Sequence, residues 1–307
     1  MTLDQFEVFI PETRLPLSEM QKYTGLTKAM LSLYRVIYGL KTISIYEEGD
    51  LESLLAIPLK NLLAKCHTQS TIKYLIYVHT TAILLPFGDT MFLRLKNKLQ
   101  LNSVITYDMT MQKCVSYFKA LELLQILLEN QPHAAAIILS GEVAFSPQLR
   151  VVPRSSIVGD AATASLFSVS GKNNYLVSLV NRFIPGYSKG YYLLDAEIQE
   201  FDKNFIQLMI NIITDAISKA GIYLDQIRLI LPHNINMPTW HKIADALHYP
   251  FEKIYVDNIP KFGHTFCSDH IINLHSVIAD NKLQPGDYYL MAGCGMGFYL
   301  SAAVFRY

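Results

Sequence analysis

Four cysteines, at positions 66, 114, 267 and 294, are the side chains of this sequence best suited to nucleophilic chemistry. No two have the CxxC spacing of a metal or redox motif, so each is predicted to be a free thiol. Cys114 differs from the others because it follows a strand-like segment, 103–108, and lies where a helix is predicted to begin. The positive end of a helix dipole favours a thiolate, and a cysteine can carry an acyl group as a thioester. On this segment alone, Cys114 is either such a nucleophile or a buried helix residue.

Two histidines follow segments that α/β proteins use to present functional groups. His233 comes directly after the apolar run 226–232, and Asn236 follows three residues later. His264 follows Gly263 in a turn before a helix predicted over 268–278. Polar side chains at the ends of buried strands often form binding or catalytic sites. A histidine in either position is equally a hydrogen-bonded core residue, so neither alone decides the function.

A third segment is rich in glycine and lies between strands predicted over 288–292 and 299–305. Its glycines, Gly293, Gly295 and Gly297, lack a Cβ and so allow backbone N–H groups to approach a substrate. The segment lacks the GxGxxG spacing, and a strand rather than a helix follows it. We therefore expect no dinucleotide cofactor here, and no cofactor is predicted elsewhere.

The elements that position these residues alternate between strand-like and helix-like runs, which predicts an α/β fold. The two halves of the chain show the same plan. A helix over 50–65 precedes a strand over 71–79, and a helix over 201–220 precedes the strand over 226–233. This weak repeat suggests two similar α/β halves, residues 1–170 with Cys114 and residues 171–307 with both histidines.

Composition narrows the function classes. Lys+Arg and Asp+Glu are equal at 26 each, so no basic excess is available for a nucleic-acid backbone. The most apolar stretch, 74–87, is interrupted by polar residues and is too short to span a membrane. The N-terminal residues lack the pattern of a secretory signal. We therefore expect a cytoplasmic protein that binds neither nucleic acid nor membrane.

Taken in order, these segments resemble the β-ketoacyl-acyl carrier protein synthase III family of the thiolase fold. The resemblance covers nearly the whole chain. It is carried by Cys114-Val-Ser-Tyr-Phe-Lys-Ala-Leu, Gly159-Asp160-Ala-Ala, Pro232-His233-Asn-Ile-Asn236, Gly263-His264-Thr-Phe, Pro285-Gly-Asp and the glycine segment 293–298.

The resemblance implies a five-layered αβαβα arrangement and a role for each motif. Cys114 would be the nucleophile, and its N–H would form an oxyanion hole with the loop of Gly295, Met296 and Gly297. His233 and His264 would complete the catalytic set, and Asn236 would orient His233 or close the loop around it. Gly159, Asp160, Gly263 and Gly293 would be structural residues of the motifs.

Several positions depart from the family pattern. His264 replaces the catalytic Asn, which gives a Cys-His-His set similar to that of elongating ketosynthases. Lys113 replaces a small residue before the nucleophile. Leu33 and Ile37 replace the Trp and Arg that bind coenzyme A, and Pro238 replaces a basic carrier-protein contact. The loss of the Trp and Arg argues against a coenzyme A donor, and the loss of the basic contact means that carrier docking would use other residues.

The first expectation for function is decarboxylative condensation of an acyl group on Cys114 with a malonyl-type thioester. The alternative is transfer of the acyl group, without condensation, from a carrier protein to an alcohol, thiol or amine. A third possibility is an inactive partner subunit of a ketosynthase, although the retained Cys114 argues against it. We expect a homodimer that pairs the strand 103–108 across a two-fold axis. The spacing of His264, Cys267, Asp269 and His270 also permits a metal site, but the family assigns these residues other roles, so none is predicted.

Overall fold

The computed structural model describes residues 1–66, 71–82, 84–86, 88–189 and 194–307. In chain order, its strands and helices are β1 (Thr2–Phe9), β2 (Arg14–Pro16), α1 (Gln21–Thr24), α2 (Lys28–Val36), β3 (Thr42–Ser44), α3 (Leu51–Lys65), β4 (Ile72–Val78), α4 (Met91–Lys98), β5 (Ile105–Met109), α5 (Ser116–Leu128), β6 (Ala135–Glu142), α6 (Pro147–Arg150), β7 (Val151–Val152), β8 (Ser156–Ile157), β9 (Ala161–Ser168), β10 (Tyr175–Phe183), α7 (Asp195–Lys219), β11 (Ile227–Pro232), α8 (Met237–Leu247), α9 (Ile259–Phe262), α10 (Asp269–Ala279), β12 (Tyr288–Gly295) and β13 (Tyr299–Arg306).

Within these described ranges, nine strands form one sheet in the order β11-β12-β13-β10-β1-β9-β6-β4-β5. The sheet consists of two parts that share a strand order. The strands of each part can be numbered in chain order. Read towards the middle of the sheet, β4-β6-β9-β1 in the first part and β11-β12-β13-β10 in the second then have the same order: second, fourth, fifth and first. β5 adds the third strand to the first part, and a parallel bridge from Ile230 to Ile254 marks the same position in the second. The two parts meet where Thr2 of β1 pairs with Tyr175 of β10. The weak sequence repeat is therefore visible as a repeated topology, and the division after residue 170 stays a prediction.

The side chains of the strands alternate between two apolar layers, as strand geometry requires. Ile76 and Val78 of β4 pack in a central cluster with α5 and α10, whereas Leu75 and Tyr77 face an outer cluster with α3 and α4. The second part behaves in the same way: β11 and β12 contribute to the central cluster on one face and pack against α7 and α8 on the other. The result is five layers, αβαβα. The predicted α/β thiolase fold is confirmed.

Some element boundaries differ from the sequence-based expectation. α7 begins at Asp195 rather than near residue 201, because the Glu197 carboxylate accepts the Leu194 N–H and stabilises an extra turn and a half of helix. β12 continues through Gly293 to Gly295, since these residues pair with Ser301 and Tyr299 of β13. The predicted glycine loop is therefore shorter than expected and spans 296–298.

The length of α7, 25 residues, would allow it to cross a bilayer. Its sequence is amphipathic, however, with charged residues such as Glu197 and Asp215 along its length. In the part of the chain that the structure describes, no helix is both long enough and apolar enough to span a membrane.

Candidate active site

Cys114 lies in a single 3-10 turn, Lys113–Val115, that joins β5 to α5. The turn is sharp because Lys113 has a left-handed backbone, with φ of +55°. This conformation is uncommon for a residue with a side chain and is a form of strain often found at functional sites. It places the thiol just before the N-terminus of α5, which begins at Ser116. A glycine at 113 would adopt this backbone without that strain.

His264 is held beside Cys114 by backbone contacts with the segment that precedes β9. The Gly159 N–H donates to the His264 carbonyl at 2.9 Å, and the His264 N–H donates to the Ile157 carbonyl at 3.1 Å. A Cβ at Gly159 would lie 2.1 Å from the Phe262 carbonyl oxygen, and one at Gly263 would lie 2.5 Å from that of Ile157. Both motif glycines are therefore required for these segments to approach each other. Nε2 of His264 lies 3.2 Å from the Cys114 sulfur.

Asp269, the first residue of α10, binds the other nitrogen of this imidazole. His264 Nδ1 donates to Asp269 Oδ2 at 2.6 Å, and both side chains are buried. The carboxylate also accepts the Asn234 N–H at 2.5 Å and the N–H and hydroxyl of Thr265 at 2.7 and 2.6 Å. Although burial opposes ionisation, the neighbouring His264 and these donors lower the pKa of Asp269. Asp269, His264 and Cys114 thus form a hydrogen-bonded line that ends at the sulfur.

The charge of His264 follows from its two neighbours. Burial alone would lower its pKa, but the Asp269 carboxylate and the Cys114 sulfur outweigh burial and raise the pKa well above its ordinary value of 6.5. The imidazolium form of His264 is therefore favoured near neutral pH. With His264 Nε2 at 3.2 Å from the sulfur, the arrangement is suited to proton transfer at Cys114 Sγ, and the role of Cys114 as the nucleophile stays a prediction.

His233 lies next to this line, with its ring centroid 6.1 Å from that of His264. Its Nδ1 accepts the Cys294 N–H at 2.8 Å, so the ring proton resides on Nε2. That Nε2 is buried and has no hydrogen-bond partner among the described residues. Burial, with the nearby His264 and His270, lowers the pKa of His233 well below its usual range. His233 is therefore a neutral donor with one free N–H.

The glycine segment packs directly against the nucleophile turn. A Cβ at Gly293 would lie 2.8 Å from His233 Nδ1, and one at Gly295 would lie 2.0 Å from the Gln112 carbonyl oxygen. Gly297 has φ of +112°, which a tight turn between β12 and β13 requires, and Met296 beside it is partly exposed. The absence of side chains lets β12 approach both the nucleophile turn and His233. The predicted oxyanion-hole role of the Cys114 N–H and of residues 295–297 stays a prediction.

Two other predicted site residues have structural contacts. Asn236 caps α8: its Oδ1 accepts the Thr239 N–H at 2.9 Å, and its Nδ2 donates to the Ser155 carbonyl at 3.1 Å. Both ends of the amide thus have partners other than His233, so Asn236 does not bind that ring directly, and the alternative that it closes the loop around His233 stays a prediction. Asp160 is fully buried, and its carboxylate accepts hydrogen bonds from both terminal nitrogens of Arg150, at 2.7 and 3.2 Å. It fixes the segment that supports His264.

The four residues considered for a metal site have separate partners. His264 and Asp269 bind each other. Cys267 Sγ donates to the Lys113 carbonyl at 3.2 Å, and His270 Nε2 donates to the Ala292 carbonyl at 3.0 Å. Among the described residues, no group of three or more His, Cys, Asp or Glu side chains is placed to hold a metal ion.

Sequence reasoning considered Asp269 only as a metal ligand and did not place it in the catalytic set. The available signal was its spacing of five residues from His264, together with its position at the start of a helix. The left-handed Phe266, with φ of +55°, turns the chain so that the two side chains meet. Backbone geometry of this kind cannot be inferred from residue types alone.

The fold and the site together define a class: thiolase-fold proteins in which a cysteine and two histidines lie together. The comparisons agree with this class. The family model for the C-terminal part of 3-oxoacyl-[acyl-carrier-protein] synthase III matches residues 217–307. The β-ketoacyl-[acyl-carrier-protein] synthase III of Aquifex aeolicus is 23% identical, over 98% of this chain and 97% of the relative.

Solved structures extend the similarity in fold to the whole chain. The acyltransferase ChlB3 superposes with a TM-score of 0.86 at 19% identity, over 99% of this chain and 97% of the other. The β-ketoacyl-[acyl-carrier-protein] synthase III of Thermus thermophilus superposes with a TM-score of 0.82 at 18% identity, over 100% and 99% of the two chains. The predicted resemblance to the β-ketoacyl-acyl carrier protein synthase III family is therefore confirmed, by the family model over the C-terminal part and by relatives over nearly the whole chain, and the enzyme class is acyltransferase.

Proposed function

We propose that this enzyme transfers an acyl group from a thioester donor, through Cys114, to an alcohol, thiol or amine acceptor. The observation that carries the proposal is the hydrogen bond of 2.6 Å from His264 to the Asp269 carboxylate. A histidine that only donates a hydrogen bond to an enolate does not need a buried carboxylate behind it. A histidine that takes and returns a proton does, because the carboxylate fixes the tautomer and stabilises the imidazolium.

In the first step, the Cys114 sulfur attacks the carbonyl carbon of the donor thioester. Its proton is already on, or passes to, His264 Nε2, which lies 3.2 Å from the sulfur. A tetrahedral oxyanion forms, and the free Nε2–H of His233 is suited to stabilise it together with backbone N–H groups. The intermediate collapses, the donor thiolate leaves with the proton from His264, and Cys114 holds the acyl group.

In the second step, His264 acts as the base towards the acceptor. Acylation removes the negative charge of the sulfur, which is one of the two groups that raise the pKa of His264. The pKa of His264 therefore falls once the acyl group is on Cys114, and the neutral base becomes more populated. His264 Nε2 takes the acceptor's proton, the acceptor attacks the thioester, and the Cys114 thiolate leaves. The proton balance of the enzyme is then restored.

A carrier protein is the donor we propose, because two positions at which the family resemblance places coenzyme A contacts cannot make them. Leu33 on α2 and Ile37 just after it are 47% and 52% exposed, so neither offers the aromatic stacking or the charge that would bind a nucleotide. The relatives above are named for acyl carrier protein substrates, which agrees with this choice. We further propose that the enzyme acts as a homodimer.

The test is to incubate the protein with an acyl-carrier thioester and then with a panel of alcohols, thiols and amines. Mass spectrometry of Cys114 should detect an acyl adduct that is lost when an acceptor is added, with formation of the ester, thioester or amide. Cys114→Ala is the control that cannot be loaded at the active site. Loading without discharge to any heteroatom acceptor, combined with carbon dioxide release from a malonyl thioester, would contradict the proposal.

Decarboxylative condensation is the second candidate, and a specific observation favours it. Nε2 of His233 and Nε2 of His264 can both donate hydrogen bonds, and their rings lie close together beside Cys114. Two such donors would stabilise the enolate oxygen that decarboxylation of a malonyl thioester produces. Release of carbon dioxide distinguishes this reaction from heteroatom transfer.

A further inference from the structure

We propose that the Thr80 hydroxyl is a second hydrogen-bond donor to the Cys114 sulfur and that the buried Glu142 holds it in place. The inference deepens the proposed function, since it rests on Cys114 as the nucleophile. Thr80 would stabilise the thiolate, above all when Cys114 becomes the leaving group during acyl transfer.

The first observation is the position of the hydroxyl between two thiols. Thr80 lies two residues beyond β4, and its Oγ1 is 3.6 Å from Cys114 Sγ and 3.7 Å from Cys267 Sγ. The Cys267 thiol donates its own proton to the Lys113 carbonyl at 3.2 Å, and burial raises the pKa of Cys267, so this sulfur stays neutral. An anionic sulfur is a stronger acceptor than a neutral one. The single proton of Thr80 is therefore directed to Cys114 whenever Cys114 is a thiolate.

The second observation is the way in which the backbone of Thr80 is fixed. Glu142, at the end of β6, is 1% exposed and accepts two successive N–H groups, from Thr80 at 2.5 Å and from Thr81 at 2.9 Å. The Thr110 hydroxyl donates to the Thr80 carbonyl at 3.1 Å. Three hydrogen bonds thus fix the backbone at Thr80 and Thr81, and the buried Glu142 side chain accepts two of them. Glu142 is a positioning residue, because it acts on the sulfur through Thr80.

Burial raises the pKa of Glu142, and the neighbouring His79 is one of the groups that oppose this rise. Nδ1 of His79 lies 2.7 Å from the Thr81 carbonyl, and its Nε2 lies 2.8 Å from the Asp108 carboxylate. Both ring nitrogens face oxygen acceptors, so both carry protons and the ring is cationic. Burial opposes this charge, but Asp108 and Glu142 raise the pKa of His79. Since a buried charge without compensation is costly, this arrangement stabilises the carboxylates on both sides of the loop.

The Cys114 sulfur is therefore contacted by two side chains, through His264 Nε2 and Thr80 Oγ1. Acylation removes the sulfur's charge, and the Thr80 proton can then turn to Cys267. When the acceptor attacks, negative charge returns to the sulfur and Thr80 can donate to it again. Thr80 should consequently assist the transfer step more than the loading step.

The test compares Thr80→Val, which removes the hydroxyl at nearly constant volume, with Thr80→Ser, which retains it. Thr24→Val is the matched control, because Thr24 is also buried and its hydroxyl donates to the Met20 carbonyl far from the site. The first measurement is the rate of Cys114 alkylation by iodoacetamide as a function of pH. The second is the single-turnover rate of loading and of discharge.

We expect Thr80→Val to raise the apparent pKa of Cys114 alkylation by about half a unit to one unit and to slow discharge about 5–30-fold. Thr80→Ser should stay within about threefold of the wild type. Glu142→Gln should shift the alkylation profile in the same direction, since an amide cannot accept both N–H groups. If Thr80→Val does not fold, Thr80→Ala makes the same comparison.

Identical alkylation profiles for the wild type and Thr80→Val, with circular dichroism showing both folded, would overturn the proposal. So would a Thr80→Ser profile that matches that of Thr80→Val. The alkylation measurement needs neither donor nor acceptor. A shifted profile in a protein that transfers no acyl group would therefore refute the proposed function and leave the role of Thr80 standing.

Discussion

His264 Nε2 lies 3.2 Å from the sulfur of Cys114, although 150 residues separate the two in sequence. The cysteine is positioned by the turn before α5, and the histidine by the turn before α10, and both helices lie in the central layer of the fold. Because Asp269 binds the far side of the same imidazole, the contact belongs to a proton-transfer line rather than to a pair of isolated donors. The following predictions depend on this relationship.

Asp269→Asn should slow discharge of the acyl-enzyme to an acceptor by about 10²–10⁴-fold, because the amide leaves the imidazole without a charged partner and permits the wrong tautomer. Loading of Cys114 should fall less, because His264 still lies within hydrogen-bond distance of the sulfur in this variant. Single-turnover measurements of both steps provide the check. Equal losses in the two steps would mean that Asp269 only supports the fold of the site.

His264→Asn restores the residue that the family usually has at this position. If His264 is the base, this variant should lose discharge by about 10²–10⁴-fold, because an amide cannot take a proton. If His264 instead donates to an enolate, the variant should retain part of the decarboxylation of malonyl thioesters, since an amide also donates. We expect the first result, measured as product formation and as carbon dioxide release from the same preparation.

The stability of the protein should depend on pH through the Asp269–His264 pair. The lowered pKa of Asp269 contributes stability above about 3.8, its usual value, and this contribution is lost as the pH falls through the folded pKa. The raised pKa of His264 contributes stability that is fully present below 6.5 and is lost as the pH rises through its folded pKa.

The free energy of unfolding of the wild type should therefore exceed that of Asp269→Asn most clearly between pH 3.8 and 6.5. A difference of about 3–5 kcal/mol is typical when one partner of a buried pair is removed. Urea unfolding at a series of pH values measures it. A difference that does not vary with pH would show that the pair is not charged in the folded protein.

Asn236→Ala should lower the free energy of unfolding by about 1 kcal/mol, because α8 loses its N-cap. Loading and discharge by the folded enzyme should stay within about threefold of the wild type. Asn236→Asp retains a capping oxygen and is the control for stability. A large loss of activity in both variants, with little change in stability, would restore a role for Asn236 at the substrate.

The homodimer is predicted from the exposed edge of the sheet. β5 pairs with β4 and lies at the end of the strand order, and Ile105 on it is 53% exposed. Light scattering at micromolar concentration should give twice the mass of the chain. Ile105→Lys should weaken the dimer, because charge on an edge strand opposes pairing. Tyr223→Lys, which changes an exposed residue far along the chain from β5, is the control that should stay dimeric.

The fold could be predicted because the sequence patterns that indicate it either lie within a few residues of one another or are motifs that occur in a fixed order along the chain. The helix 50–65 was predicted from apolar spacing, and α3 begins at Leu51 behind the Asp50 cap. The helix predicted over 201–220 implies an end at the next residue, and Gly221 has the left-handed φ of +69° that this role requires. Both features depend on residues that are neighbours along the chain.

The parts of the site that the sequence did not yield depend on distant contacts. In the sequence, Thr80 is only one of the polar residues that interrupt the apolar stretch 74–87. Its neighbours along the chain give no indication of a contact with the Cys114 sulfur, 34 residues away. Asn236 follows His233 closely in sequence, yet its amide turns towards α8 and Ser155. For Asn236, closeness along the chain suggests a hydrogen bond to His233 that its amide does not make. For Thr80, separation along the chain hides the contact with Cys114.

The single pairing of Thr2 with Tyr175 joins two parts of the sheet, and each part carries half of the site. A chain still being synthesised has the thiol of Cys114 long before it has His264, Asp269 or the strands β12 and β13 that close around His233. A ribosome-bound chain of about two hundred residues would thus carry a cysteine with no base beside it. Such a chain lacks the base that the proposed loading step uses, so efficient loading is expected only when translation has delivered the last strands.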